Sequence, residues 1–341
     1  MNSKTIGNDQ LPPIIFYYDE LDGMEYLWPR LEERFRQTGH TRPLLFREYD
    51  SYKELPGTDG DLYTYDAIVL SALVDKGFLH SLPKAVSFER VFPWVMEKTK
   101  IRQRSYGVPF MLCSTALICR HKDDLHVRNI MELDENVAIP MRSMLMFYFI
   151  QAVCENLSLK KSFHVMEHLL DLIGGRDFLA ESGLSDYDGI NRFNREECRY
   201  LLGFTEDVHD LKKDDYTVSF VNFSEYETSR RPRFMADFIS IGKHIQKEKL
   251  QDCLDLIKIM TDEHFIFDVC THDGELQYLL PADMCVFQRL AEIDLIYGRL
   301  YDQVNSEENG VLRYGKHFYE SFYSGRDILL QLLWERAGWR P

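Results

Sequence analysis

No stretch of this chain reaches the roughly 18 consecutive apolar residues that a bilayer-crossing helix needs, so a membrane span is not expected. Residues Met1 to Gln10 lack the apolar core of a secretory leader. A cytoplasmic protein is expected on that ground, or a secreted one if a leader has been removed. The seven cysteines (113, 119, 154, 198, 253, 270 and 285) are odd in number and scattered, and no Cys-x-x-Cys pair occurs. That excludes the usual zinc and disulfide frameworks and leaves reduced, mostly buried thiols in a reducing compartment. Basic charge is also scarce: Lys plus Arg is 40 against 55 for Asp plus Glu, a net charge of −15. Nucleic acid and anionic membrane are poor partners for such a field, and a neutral or cationic small molecule fits it better. There is no Gly-rich phosphate loop and no Gly-x-Ser-x-Gly elbow. His121 and His126 stand among Asp123 and Asp124 in a charged loop, and His264 and His272 lack ligand spacing, so neither metal nor cofactor is expected.

What remains is an ordinary globular composition, 45% hydrophobic and 28% charged, over 341 residues, enough for about two domains. The centre of the pattern is Tyr106–Arg120, an apolar run bounded by turn signals that reads as a buried strand. Pro109 cannot donate to a central ladder, so a bend or an edge is expected there, with the Cys113 thiol just beyond it. Before this run, Pro12–Tyr18, Pro43–Tyr49 and Leu62–Leu70 read as strands, with a helical face over Tyr26–Arg36 and a short helix over Ala72–Lys76. This is the grammar of a parallel α/β lobe. After it, helices are expected over Met141–Leu157, Phe163–Ile173, Arg192–Leu202, Glu248–Met260, Phe287–Tyr297 and Phe322–Arg336, and strands over Tyr216–Phe223 and Phe234–Gly242.

The order Tyr106-Gly107-Val108-Pro109, Leu112-Cys113, Phe223-Ser224-Glu225, Ile241-Gly242-Lys243-His244 and Leu279-Leu280-Pro281-Ala282 resembles the periplasmic solute-binding proteins. Within them it is most similar to the thiaminase I (thiamine pyridinylase) family, and Tyr65-Asp66-Ala67-Ile68 adds to the match. The resemblance implies an α/β, two-lobed periplasmic-binding-protein-like (type II) fold with a ligand cleft between lobes. One lobe is expected from residues 1–108 plus 240–282 and the other from 109–239 plus 283–341, with hinge crossings near 106–110, 237–242 and 278–283. It implies base exchange on thiamine or a related aminopyrimidine, with Cys113 as nucleophile and Glu225 as the base that takes its proton. Glu227, two residues on, is the rival base. Phe223 stands where the family has Tyr, which removes a hydroxyl from the cleft and weakens the inference to thiamine itself.

Asp66 is expected to hold the aminopyrimidine by a charge-assisted bond. Tyr17, Tyr18 and Tyr49 would wall in a cationic ring, and Asp237 and Asp283 are further cleft candidates. Arg230, Arg231 and Arg233 form a basic cluster that reads as a solvated loop. A thiolate suits the chemistry because it attacks readily and also leaves readily. The expected partners are the small-molecule substrate and an amine, pyridine or thiol acceptor, and a monomer is expected. Two alternatives share the fold: a non-catalytic sensor or carrier, and a related cysteine enzyme acting on another heteroaromatic compound.

Overall fold

The computed structural model describes residues 11–19, 24–51, 54–83, 86, 88–98, 100–120, 127, 129–133, 137–139, 159–172, 188–212, 216–222, 232–306, 310–311 and 331. Two sheets organise them. Among the described residues the larger has seven strands and the smaller four.

In the larger sheet, β1 (Ile14–Asp19) lies between β2 (Leu44–Tyr49) and β3 (Leu62–Asp66), parallel to both. Alternation along β1 puts Phe16 and Tyr18 against Trp28 of α1 (Leu27–Gln37), which buries Leu27, Trp28, Leu31 and Phe35 on the sheet. The parallel lobe read from the sequence is therefore present, and it is completed by strands that arrive from elsewhere in the chain. The long β9 (Arg233–Ile241) is antiparallel to β3 on one side and to β4 (Gly107–Cys113) on the other. The register slips between Pro109 and Met111, so the bend expected at the proline takes the form of a bulge. Short β10 (Leu280–Pro281) closes this edge, and β11 (Gly310–Val311) pairs with the start of β9.

The expected single strand over Tyr106–Arg120 is two. It breaks at Ser114-Thr115, and β5 (Ala116–Cys119) continues in the smaller sheet, between β7 (Tyr200–Gly203) and β8 (Thr217–Phe220), with β6 (Val137–Ala138) beyond β7. Ser114 Oγ donates to the Arg233 carbonyl at 2.8 Å, which fastens the break to the point where β9 begins. The chain thus passes from the larger sheet to the smaller at 114–115, and returns between Asn222 and Arg233. The expected crossings at 106–110 and 237–242 fall within β4 and β9.

Several elements differ from expectation. The helix over Arg192–Leu202 is instead the end of a short helix, Asp188–Asn194, followed by β7, because pairing with β5 overrides the local pattern. The third strand stops at Asp66, and residues 67–75 are helix α2 (Ala67–Asp75), started by the Asp66 side chain. Phe287–Tyr297 is two helices, Met284–Ile293 and Leu295–Val304, divided at Asp294, which accepts from the Ile296 and Tyr297 amides. The helices expected at Phe163–Ile173 and Glu248–Met260 are found at Leu159–Leu172 and Leu250–Met260. Those over Met141–Leu157 and Phe322–Arg336 lie outside the described residues, apart from residue 331. Among the described residues no helix is long and apolar enough to cross a membrane.

Candidate active site

The parallel strands end together at one edge of the larger sheet, where ligands of α/β sheets gather. Four adjacent strands each bring one titratable side chain to that edge. Cys113 closes β4 opposite Met235, so Asp237, two residues further along β9, stands on the diagonal of the same face. Asp237 lies directly opposite Asp66, the last residue of β3. Asp19, the last residue of β1, accepts from the Asp66 amide at 3.3 Å. The result is a row: Cys113, Asp237, Asp66, Asp19.

Each member is held by its neighbours. Asp66 caps α2, its Oδ1 accepting from the Ile68 amide at 2.8 Å. Asp19 is 2% exposed and accepts from the Ser51 hydroxyl at 2.5 Å and the Ser51 amide at 2.8 Å. Those bonds favour its ionised form, but burial outweighs them and pushes the carboxyl up to about 7, with the Asp66 charge acting in the same sense. Asp237 is raised well above the carboxylate range by burial first, then by Asp66, Asp19 and Glu206. Three adjacent carboxylates cannot all ionise freely.

The smaller sheet supplies the other side of the site. At its first residue, Ala116, β5 is paired with Gly203 of β7 and Phe220 of β8, so both neighbouring strands end beside the Cys113–Thr115 turn. From β7 the chain enters a tight helical turn, Glu206–Asp210. Asp207, 9% exposed, fixes that turn by accepting from the Phe204 amide at 2.7 Å, and burial followed by the Glu206 charge lifts it to about 8. Glu206 is half-buried and accepts from the Thr205 hydroxyl at 3.3 Å. From β8 the chain leaves through Asn222. Glu225 is three residues further on and, with Phe223, Glu227, Arg230 and Arg231, lies outside the described residues.

Cys113 retains partial exposure, yet burial around its sulfur pushes the thiol well above its ordinary range. Glu206, Asp237, Asp66 and Asp207 push it the same way, Glu206 the most of the four. The thiol is therefore protonated at neutral pH and needs activation before it can attack. Of the other described cysteines, 119, 198, 253 and 270 are buried, as expected of small apolar side chains, and Cys285 is exposed at the start of its helix.

The remaining expected residues are dispersed. Tyr17 and Tyr18 point to opposite faces of β1. The Tyr17 ring stacks on Tyr63 and its hydroxyl donates to Asp59 at 2.8 Å, whereas Tyr18 packs on Trp28 and donates to Glu48. Tyr49 is buried and donates to the Thr64 carbonyl at 2.8 Å. Tyr17 and Tyr49 meet edge to face, their ring centroids 6.5 Å apart, while Tyr18 lies on the other face of β1. Asp283 follows β10 and bridges to Val91, where it caps the Met284–Ile293 helix and pairs with Arg90 at 3.0 Å. Arg233 opens β9. Sequence reasoning missed Asp19, Ser51, Glu206 and Asp207. Asp19 reads as a strand-ending turn residue, and Glu206-Asp207 follow a segment expected to be helical.

Two sheets sharing a chain crossing beside a polar strand edge define the class: a periplasmic-binding-protein-like α/β fold. A maltose-bound T. maritima MalE3 superposes with a TM-score of 0.69 at 15% identity, covering 94% of this chain and 95% of that one. Clostridium botulinum thiaminase I in complex with thiamin is more similar, with a TM-score of 0.78 at 20% identity over 94% of this chain and 99% of that chain. In sequence, the chain is 24% identical over 335 residues to thiaminase-1 of Paenibacillus thiaminolyticus, covering 85% of this chain and 80% of the relative. No protein-family model matches the chain.

Proposed function

We propose that this chain is a thiaminase I-like base-exchange transferase that cleaves thiamine or a closely related aminopyrimidine through a covalent bond to Cys113. The observation that carries the reading is the position of Cys113. It stands at the end of a carboxylate row, where the chain passes between two sheets, in a protein similar to thiaminase I along most of its length. The two sheets are read as two lobes with the substrate cleft between them, and Ser114-Thr115 as one crossing.

The steps follow from the chemistry. The Cys113 thiolate adds to an electron-poor pyrimidine carbon, forming a C–S bond. The electron pair displaced into the ring then expels the thiazolium, whose C–N bond to the methylene breaks with both electrons going to nitrogen, so a neutral thiazole departs. An amine, pyridine or thiol acceptor attacks the methylene, and the Cys113 sulfur leaves with its electron pair. Asp237, raised by burial, can donate as well as accept, which suits a ring nitrogen that gains electron density. Asp66, paired with Asp237 across the strands, accepts from the exocyclic amine in this reading. By resemblance Glu225 takes the thiol proton, with Glu227 as the rival.

A second reading, a non-catalytic binder, is favoured by the same upward shift of the thiol, since a sulfur held protonated has no need to react. Turnover separates the two. Loss of thiamine with an acceptor present, followed by chromatography, is expected for the parent, and about 10³-fold or greater loss for Cys113→Ser. Saturable binding without turnover in the parent would establish the binder instead. The protein is expected to act as a monomer.

A further inference from the structure

We infer that Glu206 is a specificity-determining residue that selects substrates carrying a positive charge on the leaving ring. This rests on the proposed function and adds to it a role for a residue in the second sheet.

Because Ala116 pairs with Gly203, the residues after β7 run back past the Cys113–Thr115 turn. The Asp207 bond to the Phe204 amide and the Thr205 bond to Glu206 hold that segment in a tight turn. That turn, Glu206–Asp210, therefore follows directly on the strand end beside Cys113, and of the neighbouring carboxylates the Glu206 charge bears on the sulfur the most. Its charge also reaches Asp237, on the far side of the thiol. A carboxylate in that position is a liability for a thiol that must ionise, because it opposes the negative charge the reaction needs.

The liability disappears when a cation sits between them. In thiamine the thiazolium nitrogen is attached through one methylene to the pyrimidine ring, so it lies within about two bonds of the ring that the sulfur attacks. A charge that dominates at the sulfur therefore also dominates at the thiazolium. Asp19 is sealed by Ser51 and the Asp66 amide, Asp207 is buried in its own turn and Asp66 is assigned to the aminopyrimidine, while Glu206, which takes the Thr205 hydroxyl, is half-exposed. Once the thiazolium leaves as a neutral thiazole the attraction ends, which favours its release.

The test compares two substrates with this protein: thiamine, and the same aminopyrimidine whose methylene carries an uncharged arylsulfonyl group, which departs as a sulfinate, in place of the thiazolium. For Glu206→Gln the ratio of kcat/KM for thiamine to that for the neutral substrate is expected to fall about tenfold, through KM for thiamine, and to become less sensitive to salt. Glu206→Asp is expected to recover part of the ratio. An unchanged ratio overturns the inference, whether both rates fall together, as for a proton-transfer or folding role, or neither changes. A parent that neither binds nor cleaves thiamine removes the proposed function and this inference with it, and is recognised from the parent alone.

Discussion

Replacing Asp19 with asparagine removes one charge from the buried row while keeping the side chain's shape. The parent carboxyl titrates near 7 in the folded protein, against 3.8 for an ordinary aspartate. Between those values the folded chain holds a proton that the unfolded chain has lost. Its stabilising effect is complete below 3.8 and is lost as the pH rises through about 7, so stability falls with rising pH. From pH 5 to about 7 the interval is two pH units, worth about 3 kcal/mol at 1.36 kcal/mol per unit. With an unfolding entropy of about 2.1 cal/mol/K per residue over 341 residues, that corresponds to about 4 °C in Tm. Asp207 and Asp237 are raised too and contribute slopes of the same sign, but Asp207 lies outside this network, so its share cancels between variants. Relief of Asp237, which the Asp19 charge pushes upward, adds to the effect of the substitution. At pH 5 the exchange itself costs about 1 kcal/mol, because an amide nitrogen replaces one of the oxygens that accept from Ser51 and the Asp66 amide. Thermal melts of both proteins at pH 5 and pH 8 are the assay. The parent is expected to lose about 4 °C more than Asp19→Asn between the two; equal losses would refute the claim that Asp19 is protonated in the fold.

Two further perturbations test the frame that carries the site. A Cβ at Gly242 would meet the Gly60 carbonyl oxygen at 2.0 Å, so Gly242→Ala must push two backbones apart where Gly242 donates to the Asp61 carbonyl; a loss of about 3 kcal/mol is expected in denaturant melts, and parent-like stability would contradict the close approach. Lys249 and Asp61 form a buried pair at 2.8 Å, and Asp61 also accepts from the Ile15 amide at 2.9 Å. Lys249→Met leaves that carboxylate unpaired and is expected to cost about 3–5 kcal/mol, with the Lys249→Met, Asp61→Asn double variant recovering part of it.

What could be read in the sequence was what is local. The apolar run around Cys113, the Pro109 irregularity and the amphipathic helices at residues 27–37 and 250–260 follow from short-range pattern. Asp66 and Cys113 were singled out by the family resemblance, and Cys113 also by its place just past the Pro109 bend; that each ends a strand came from the pairing of the sheets. The break at Ser114-Thr115 was not, since the residues on both sides continue the same apolar pattern and only the bond to the Arg233 carbonyl marks the crossing. The row itself could not be read, because it depends on register between strands far apart in sequence: Asp237 meets Asp66 across 171 positions. Glu206 was hidden for the same reason. Residues 192–202 carry a helix-like pattern, and only their pairing with β5 turns the second half into a strand that ends beside the Cys113–Thr115 turn.

Covalent catalysis requires a bond between Cys113 and the pyrimidine. Intact-protein mass spectrometry after incubation with thiamine and no acceptor, followed by peptide mapping, detects it. A pyrimidine-sized adduct on Cys113 is expected, one that disappears when an amine, pyridine or thiol acceptor is added and is absent from Cys113→Ser. An adduct on another cysteine, or turnover with no adduct and undiminished activity in Cys113→Ser, would contradict it.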